Sequence, residues 1–341
     1  MESLPQGQRG SNPARLTILF CLFLLMSLGL GYPILNRFDP RQTSGLSDVQ
    51  SYAALVTGGD FVGPEHLRFR VLLPWMAKPI YRLAEGRVGS WNPVMVGLLV
   101  TDSFFVAATA LLIVVLGCQL VDYPASLVAS LLYLLNFAVP NLRLAGLVDA
   151  GDGFFWLALL WSLSQRKFRL LPFIAGLGAL TKEVFLPLSI VFTAAWWCMA
   201  HKKLDSHMPS ALWITSSWLV GFGAIIGIQW KICGQLVNPV AFAASLHGNR
   251  DYLHHFASSL WDQNLWYIFV WLLPTALPYL ARLPKSWLIA TGAAVAATLV
   301  LDGYYGGAPG TVGRELFSVA GPILALSSAS FLCNQEPSSV F

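Results

Sequence analysis

One pair of charged residues, Lys182 and Glu183, constrains this chain most, because it lies in an otherwise uncharged stretch at residues 170–200. A charge at mid-membrane costs roughly 2.5–3.5 kcal/mol on a lenient insertion scale, so such residues usually serve a function. Basic residues flank the stretch on both sides: Arg166, Lys167 and Arg169 before it, Lys202 and Lys203 after it. Basic short loops tend to face the cytoplasm. The stretch therefore predicts a re-entering hairpin of two short helices, with the charged pair at its outer tip.

Composition supports a membrane protein. The 341 residues are 56% hydrophobic and 11% charged, and the mean hydropathy is +0.62. A soluble domain does not need that much apolar surface, so we expect an all-α polytopic membrane protein. The net charge of +4 is explained mainly by loops and gives no support for nucleic acid binding. The five cysteines form no C-x-x-C pair, which favours structural packing over a disulfide framework.

Hydropathy and loop charge predict a single membrane domain, 1–341, with about ten transmembrane helices and no separate soluble domain. The predicted spans are 16–35, 93–116, 124–140, 153–164, 170–181, 184–200, 211–230, 264–281, 287–301 and 315–333. With Arg9 and Arg15 inside, the loops 165–169, 201–207 and 282–285 face the cytoplasm. Two long outer loops, 36–92 and 231–264, remain.

The first outer loop contains two amphipathic patterns. Ser47 and Gln50 fit a capping box that begins a helix. That helix places Leu46, Val49, Ala53 and Val56 on one side, which is typical of an interfacial helix. The stretch 71–83 carries Lys78 and Arg82 and is expected to lie along the membrane surface as well.

The charged residues expected at the outer face come from five parts of the chain and form the candidate site. A set of cations suits a phosphate, and a carboxylate among them suits a general base. The candidates are Asp48, His66, Arg68, Arg70, Asp149, Asp152, Lys182, Glu183, Arg314 and Glu315.

Several members have a simpler interpretation. Asp48 is favoured in the first turn of a helix by the helix dipole alone, and Arg68 and Arg70 can anchor lipid headgroups. Asp152 can be an N-cap, and the spacing of Asp149 and Asp152 is not a D-x-D motif. The Lys182–Glu183 pair can be an internal ion pair that only fixes the hairpin. His254 and His255 more often line a loop than bind a metal ion.

Four short motifs resemble the GT-C superfamily of integral-membrane glycosyltransferases. They are Asp48 with Tyr52 four residues later, RFRVLLPWMA at 68–77, GLGALTKE at 176–183 and GRELF at 313–317. The resemblance is greatest to the bacterial enzymes that modify cell-surface glycans. It implies a GT-C-like bundle that transfers a sugar from a polyprenyl-phosphate donor to a glycan or lipid acceptor. It also implies an active site on the outer face of the bacterial inner membrane.

The resemblance also implies roles for individual residues. Asp48 matches the first-loop acid that acts as general base on the acceptor or positions it. Lys182, Arg70 and Arg314 match the cations that hold the lipid-linked phosphate. Many relatives have an Asp-Glu pair in the first loop, whereas Val49 follows Asp48 here. Whether a divalent metal ion takes part in the reaction stays open. The alternative function is a multi-pass transporter or flippase for a lipid-linked or anionic substrate.

Overall fold

The computed structural model describes residues 13–37, 47–200, 207–234, 252–305 and 311–334. Within these ranges the chain contains no strand, which confirms the all-α prediction. The helices are α1 (Pro13–Gly31), α2 (Ile34–Arg37), α3 (Ser47–Thr57), α4 (Leu72–Ala84), α5 (Pro93–Gly117), α6 (Tyr123–Leu134), α7 (Asp149–Ser164), α8 (Leu171–Thr181), α9 (Phe185–Ala200), α10 (His207–Cys233), α11 (Tyr252–Leu260), α12 (Gln263–Phe269), α13 (Leu272–Leu280), α14 (Lys285–Tyr305) and α15 (Thr311–Leu332). Short turns at Glu65–Phe69, Val139–Arg143 and Phe168–Leu170 connect some of them.

Each predicted span contains a helix, and five helical segments are long and apolar enough to cross a membrane. These segments are Pro13–Asn36, Pro93–Gly117, Ser210–Cys233, Lys285–Gly303 and Thr311–Leu332. The predicted span 264–281 is instead divided into α12 and α13. Pro274 explains the division, because its ring nitrogen cannot donate to the carbonyl of Val270. The predicted span 124–140 ends early at Leu134, where the chain leaves the helix before Pro140.

The predicted interruption at the charged pair is present. α8 ends at Thr181, Lys182 has extended backbone (φ −155°, ψ 125°), and α9 begins at Phe185. Pro187 favours this break, because it cannot donate to the carbonyl of Glu183. The Phe185 ring packs so closely on Gly178 that a β-carbon there would collide with it. Lys182 and Glu183 therefore lie between α8 and α9, outside both helices.

One end of the bundle carries the basic loops. Three contacts bring the helix ends together there: the Arg15 guanidinium lies 3.8 Å from the centre of the Tyr123 ring, the Gln165 amide donates to Gln119 Oε1 at 2.7 Å, and the rings of Tyr279 and Phe331 are 5.8 Å apart. Gly117 at the end of α5 packs so closely on Leu326 of α15 that a β-carbon there would collide with it. The predicted cytoplasmic loops 165–169 and 282–285 therefore lie at the same end as Arg15. Arg9 and the residues 201–206, which include Lys202 and Lys203, are outside the described residues, as is the middle of the loop 231–264, at residues 235–251.

The first outer loop is more deeply packed than its pattern indicated. Val49, Tyr52 and Val56 on α3 are buried in the main core, so this helix is part of the bundle rather than only an interfacial segment. Leu46, predicted on the same face, lies outside the described residues. α4 has the expected two faces, with Leu73 buried and Trp75 exposed. Together α3 and α4 form a cover over the end of the bundle opposite the basic loops.

Candidate functional site

Eight charged side chains converge at the end of the bundle opposite the basic loops. We call them the ion-pair cluster. Its basic members are Arg70, Arg143, Lys182 and Arg314, and its acidic members are Asp149, Asp152, Glu183 and Glu315. They come from the end of the turn before α4, the turn before α7, the first turn of α7, the break after α8 and the N-terminal turns of α15.

Lys182 lies at the centre of this cluster and is 4% exposed. Its Nζ is 3.3 Å from Asp149 Oδ1 and 3.0 Å from Glu315 Oε1. Asp149 is shared, because its Oδ2 is 3.5 Å from Arg314 NH1. Three separate parts of the chain are thus linked through one buried ammonium group.

Glu183 points to a different partner. Arg70 donates to it from Nε at 2.8 Å and from NH2 at 2.6 Å, which is bidentate geometry. Because the backbone at Lys182 is extended, successive side chains point in opposite directions. The alternative in which Lys182 and Glu183 form only a local pair is therefore wrong. Each links the break to another segment.

Arg70 also connects this pair to α3, since its NH1 donates to the Tyr52 hydroxyl at 3.3 Å. Burial raises the pKa of Tyr52 to about 12 although Arg70 opposes the shift, so this hydroxyl stays protonated. Burial, aided by Arg70, lowers the pKa of His66 below its usual value. Asp48, half-buried on α3, acts electrostatically on Tyr52, His66 and Arg314.

The two first-loop arginines differ. Arg70 is buried and belongs to the cluster, which rules out the lipid-anchor interpretation for it. Arg68 is exposed and lies 6.0 Å from the centre of the Phe61 ring. The structure does not bring it into the cluster, and the headgroup interpretation fits it better.

Replacing Arg70 with lysine is expected to lower the free energy of unfolding by about 1–3 kcal/mol. A lysine cannot make the two parallel bonds to Glu183 and also reach Tyr52. The melting midpoint of the purified protein in detergent measures the change, with Arg68→Lys as the matched control. Equal melting midpoints for the two variants would contradict a special role of the two bonds from the Arg70 guanidinium to Glu183.

The acidic residues at the start of α7 are not helix caps. The helix begins at Asp149, and its N-cap residue is Val148, which makes no side-chain cap bond. The N-cap interpretation of Asp152 is therefore wrong. Asp149 accepts from two cations instead, and Asp152 lines a small cavity beside Lys182 and Glu315.

Arg143 is a member that the sequence analysis missed. It is 1% exposed; its NH1 donates to the main-chain carbonyl of Asp149, and its NH2 donates to Ser318 Oγ at 2.9 Å. Its guanidinium lies 5.0 Å from the centre of the Phe317 ring. Arg143 thus fixes the first turn of α7 against α15. The signal available was a lone arginine in the apolar stretch that precedes Asp149.

Gly153 makes this arrangement possible, because a β-carbon there would collide with the Arg143 guanidinium. We expect Gly153→Ala to lower the free energy of unfolding by about 1–3 kcal/mol through overpacking. Gly292→Ala is the control, since a β-carbon at this helical position meets nothing within 4 Å. Melting midpoints of both variants check the prediction. If Gly153→Ala melts no lower than Gly292→Ala, the close approach does not matter.

Asp102 is a second buried ionisable residue that the sequence analysis missed. It lies within α5 and is 1% exposed. Its Oδ2 accepts from the Gly146 N–H at 3.1 Å, and its Oδ1 has no hydrogen-bond partner among the described residues. A lone carboxylate within a predicted span was the signal that could have revealed it.

The cluster is closed in this structure. The cavity bordered by Asp152, Lys182 and Glu315 has room for about one water molecule. Within the described ranges, no group of three or more His, Cys, Asp or Glu side chains is arranged to hold a metal ion. A larger anionic ligand would have to displace cluster side chains.

No protein-family model, no curated protein and no solved structure matches this chain. The residues of the cluster therefore carry the evidence for its function. Their most distinctive property is that four buried or nearly buried cations gather at one end of a helical bundle whose other end carries the basic loops.

Proposed function

We propose that this chain is an integral-membrane glycosyltransferase of the GT-C type. It transfers a sugar from a polyprenyl-phosphate carrier to a cell-envelope glycan or lipid acceptor. The observation that carries the proposal is the ion-pair cluster, in which Arg70, Lys182 and Arg314 meet beside the first-loop helix that bears Asp48. Preorganised cations in a site of low dielectric suit a leaving group that develops negative charge.

The proposed reaction is a single displacement. The bond between the anomeric carbon and the phosphate oxygen breaks, and the electron pair leaves with polyprenyl phosphate. The acceptor hydroxyl forms the new bond to that carbon while its proton passes to Asp48. Lys182 and Arg314 stabilise the departing phosphate, and Arg70 holds Glu183 and Tyr52 in place beside it. Attack from the opposite face inverts the anomeric configuration.

The proposed membrane arrangement has about ten spans in the bacterial inner membrane. The basic end, with Arg15 and the loops 165–169 and 282–285, faces the cytoplasm by the positive-inside tendency. The cluster then faces outward. Besides the five longer segments, the proposed spans are the shorter apolar segments Tyr123–Leu134, Phe168–Thr181 and Phe185–Ala200, together with α7 and the divided span 264–281.

The experiment is incubation of the purified protein with a panel of polyprenyl-phosphate sugars, each with glycan and lipid acceptors. We expect transfer from at least one donor, with release of polyprenyl phosphate and an inverted product. A retained configuration would contradict the single displacement. If no donor of the panel is hydrolysed and none transfers its sugar, the proposed function itself is contradicted.

A transporter is the second candidate, and two observations favour it. The helices are interrupted at residues 182–184 and at residues 270–271, and Asp102 is buried within a spanning helix. Interrupted helices and buried carboxylates are typical of transporters, but their charges gather near the membrane midplane. Protein reconstituted in liposomes with a fluorescent lipid-linked sugar separates the candidates. Movement across the bilayer without transfer would favour the transporter.

A further inference from the structure

The two carboxylates that contact Lys182 are not equivalent. Asp149 has a side chain that is 4% exposed, and it also contacts Arg314. Glu315 approaches Lys182 more closely, at 3.0 Å, yet its side chain is 24% exposed. Of the two carboxylates it therefore has the more direct route to solvent, and it lies near the N-terminus of α15.

The formal charges of the cluster cancel, since it contains four basic and four acidic side chains. Adding a phosphate to a neutral, poorly solvated group of charges is unfavourable unless one negative charge leaves. Glu183 is held by two bonds from Arg70, and Asp149 and Asp152 are almost fully buried. Glu315 is the most exposed of the four carboxylates and the one that can leave with the least rearrangement.

We propose that Glu315 occupies the position on Lys182 that an anionic ligand takes, so that binding of a phosphate ester displaces it. This inference rests on the proposed function, in which the ligand is the phosphate of the sugar carrier. A cavity with room for about one water molecule lies beside Lys182, between Asp152 and Glu315. Once Glu315 swings out, the cluster has one uncompensated positive charge that the phosphate neutralises.

The test is calorimetric binding of polyprenyl phosphate to the full chain in detergent. Glu315→Gln keeps the size of the side chain but removes the competing charge. We expect it to bind about tenfold more tightly than the unaltered protein, which corresponds to about 1.4 kcal/mol. The control is Glu65→Gln, an exposed residue of the first outer loop, which should leave the affinity unchanged. Unchanged or weaker binding by Glu315→Gln would overturn the inference.

A second variant and a second ligand make the result independent of folding and of the lipid chain. Glu315→Asp keeps the charge but withdraws it from Lys182, so it should also bind more tightly. Inorganic phosphate is titrated in parallel. Tighter binding of both ligands by the Glu315 variants supports a site that binds the anion alone. Tighter binding of polyprenyl phosphate alone supports a site that also contacts the lipid chain. If neither the unaltered protein nor any variant binds either ligand, the inference is overturned. Absence of sugar transfer with intact binding would contradict only the proposed function.

Discussion

Replacing Lys182 with methionine is expected to lower the free energy of unfolding by about 3–5 kcal/mol, because it removes one partner of a buried ion pair. Asp149 would keep only the longer contact from Arg314, and Glu315 would lose its 3.0 Å contact with Lys182. Methionine preserves the length and apolar character of the side chain, so the effect reports the charge. Thermal unfolding of the purified protein in detergent measures it.

Two controls separate this effect from a general loss of charge. Lys285→Met alters an exposed lysine at the basic end and should leave the melting midpoint within measurement error. Adding Asp149→Asn to Lys182→Met should recover part of the loss, since the buried carboxylate is then neutral. If Lys182→Met has the same melting midpoint as the unaltered protein, the ion-pair cluster does not stabilise the bundle as its geometry indicates.

Asp48→Asn is expected to reduce the rate of sugar transfer by about 10²–10⁴-fold, the typical contribution of a general base. The amide keeps the shape of the side chain but cannot take up the proton of the attacking hydroxyl group. Asp48 lies half-buried on α3, so we expect the melting midpoint to stay unchanged while the rate falls. Turnover of the donor that the panel identifies provides the measurement.

The matched control is Asp60→Asn, which removes an exposed carboxylate from the same outer loop. It should transfer sugar at the rate of the unaltered protein. Wild-type turnover by Asp48→Asn would assign the base to another residue. A fall in both rate and melting midpoint would instead indicate that Asp48 mainly supports the packing of α3.

Much of the fold followed from local signals in the sequence. The interruption at Lys182 could be predicted because a charged pair within an apolar stretch cannot stay in lipid, and Pro187 reinforces the break. The location of the helices followed from hydropathy in the same way, and five of the helical segments are long and apolar enough to cross a membrane. The division of span 264–281 was missed, although Pro274 carried the information, since apolar composition alone does not register a missing hydrogen-bond donor.

The partners of the charges could not be predicted. Arg70 and Glu183 are 113 residues apart, and Arg314 and Asp149 are 165 residues apart, so no local pattern relates them. Grouping the candidates by membrane face brought most of them together, but it also included Arg68, which is exposed. It could not assign Lys182 to Asp149 and Glu315 rather than to its neighbour Glu183, because that choice depends on how the backbone turns at the break.

The wide separation of cluster residues along the chain has a consequence for biogenesis. Arg70, Asp149 and Lys182 are synthesised before α15, which supplies both Arg314 and Glu315. Until α15 packs against them, Lys182 lacks its contact with Glu315, and Asp149 lacks its contact with Arg314. Packing of α15 thus completes the charge balance of the ion-pair cluster. A purified chain truncated before Thr311 should therefore be cleaved by added protease faster than the full chain.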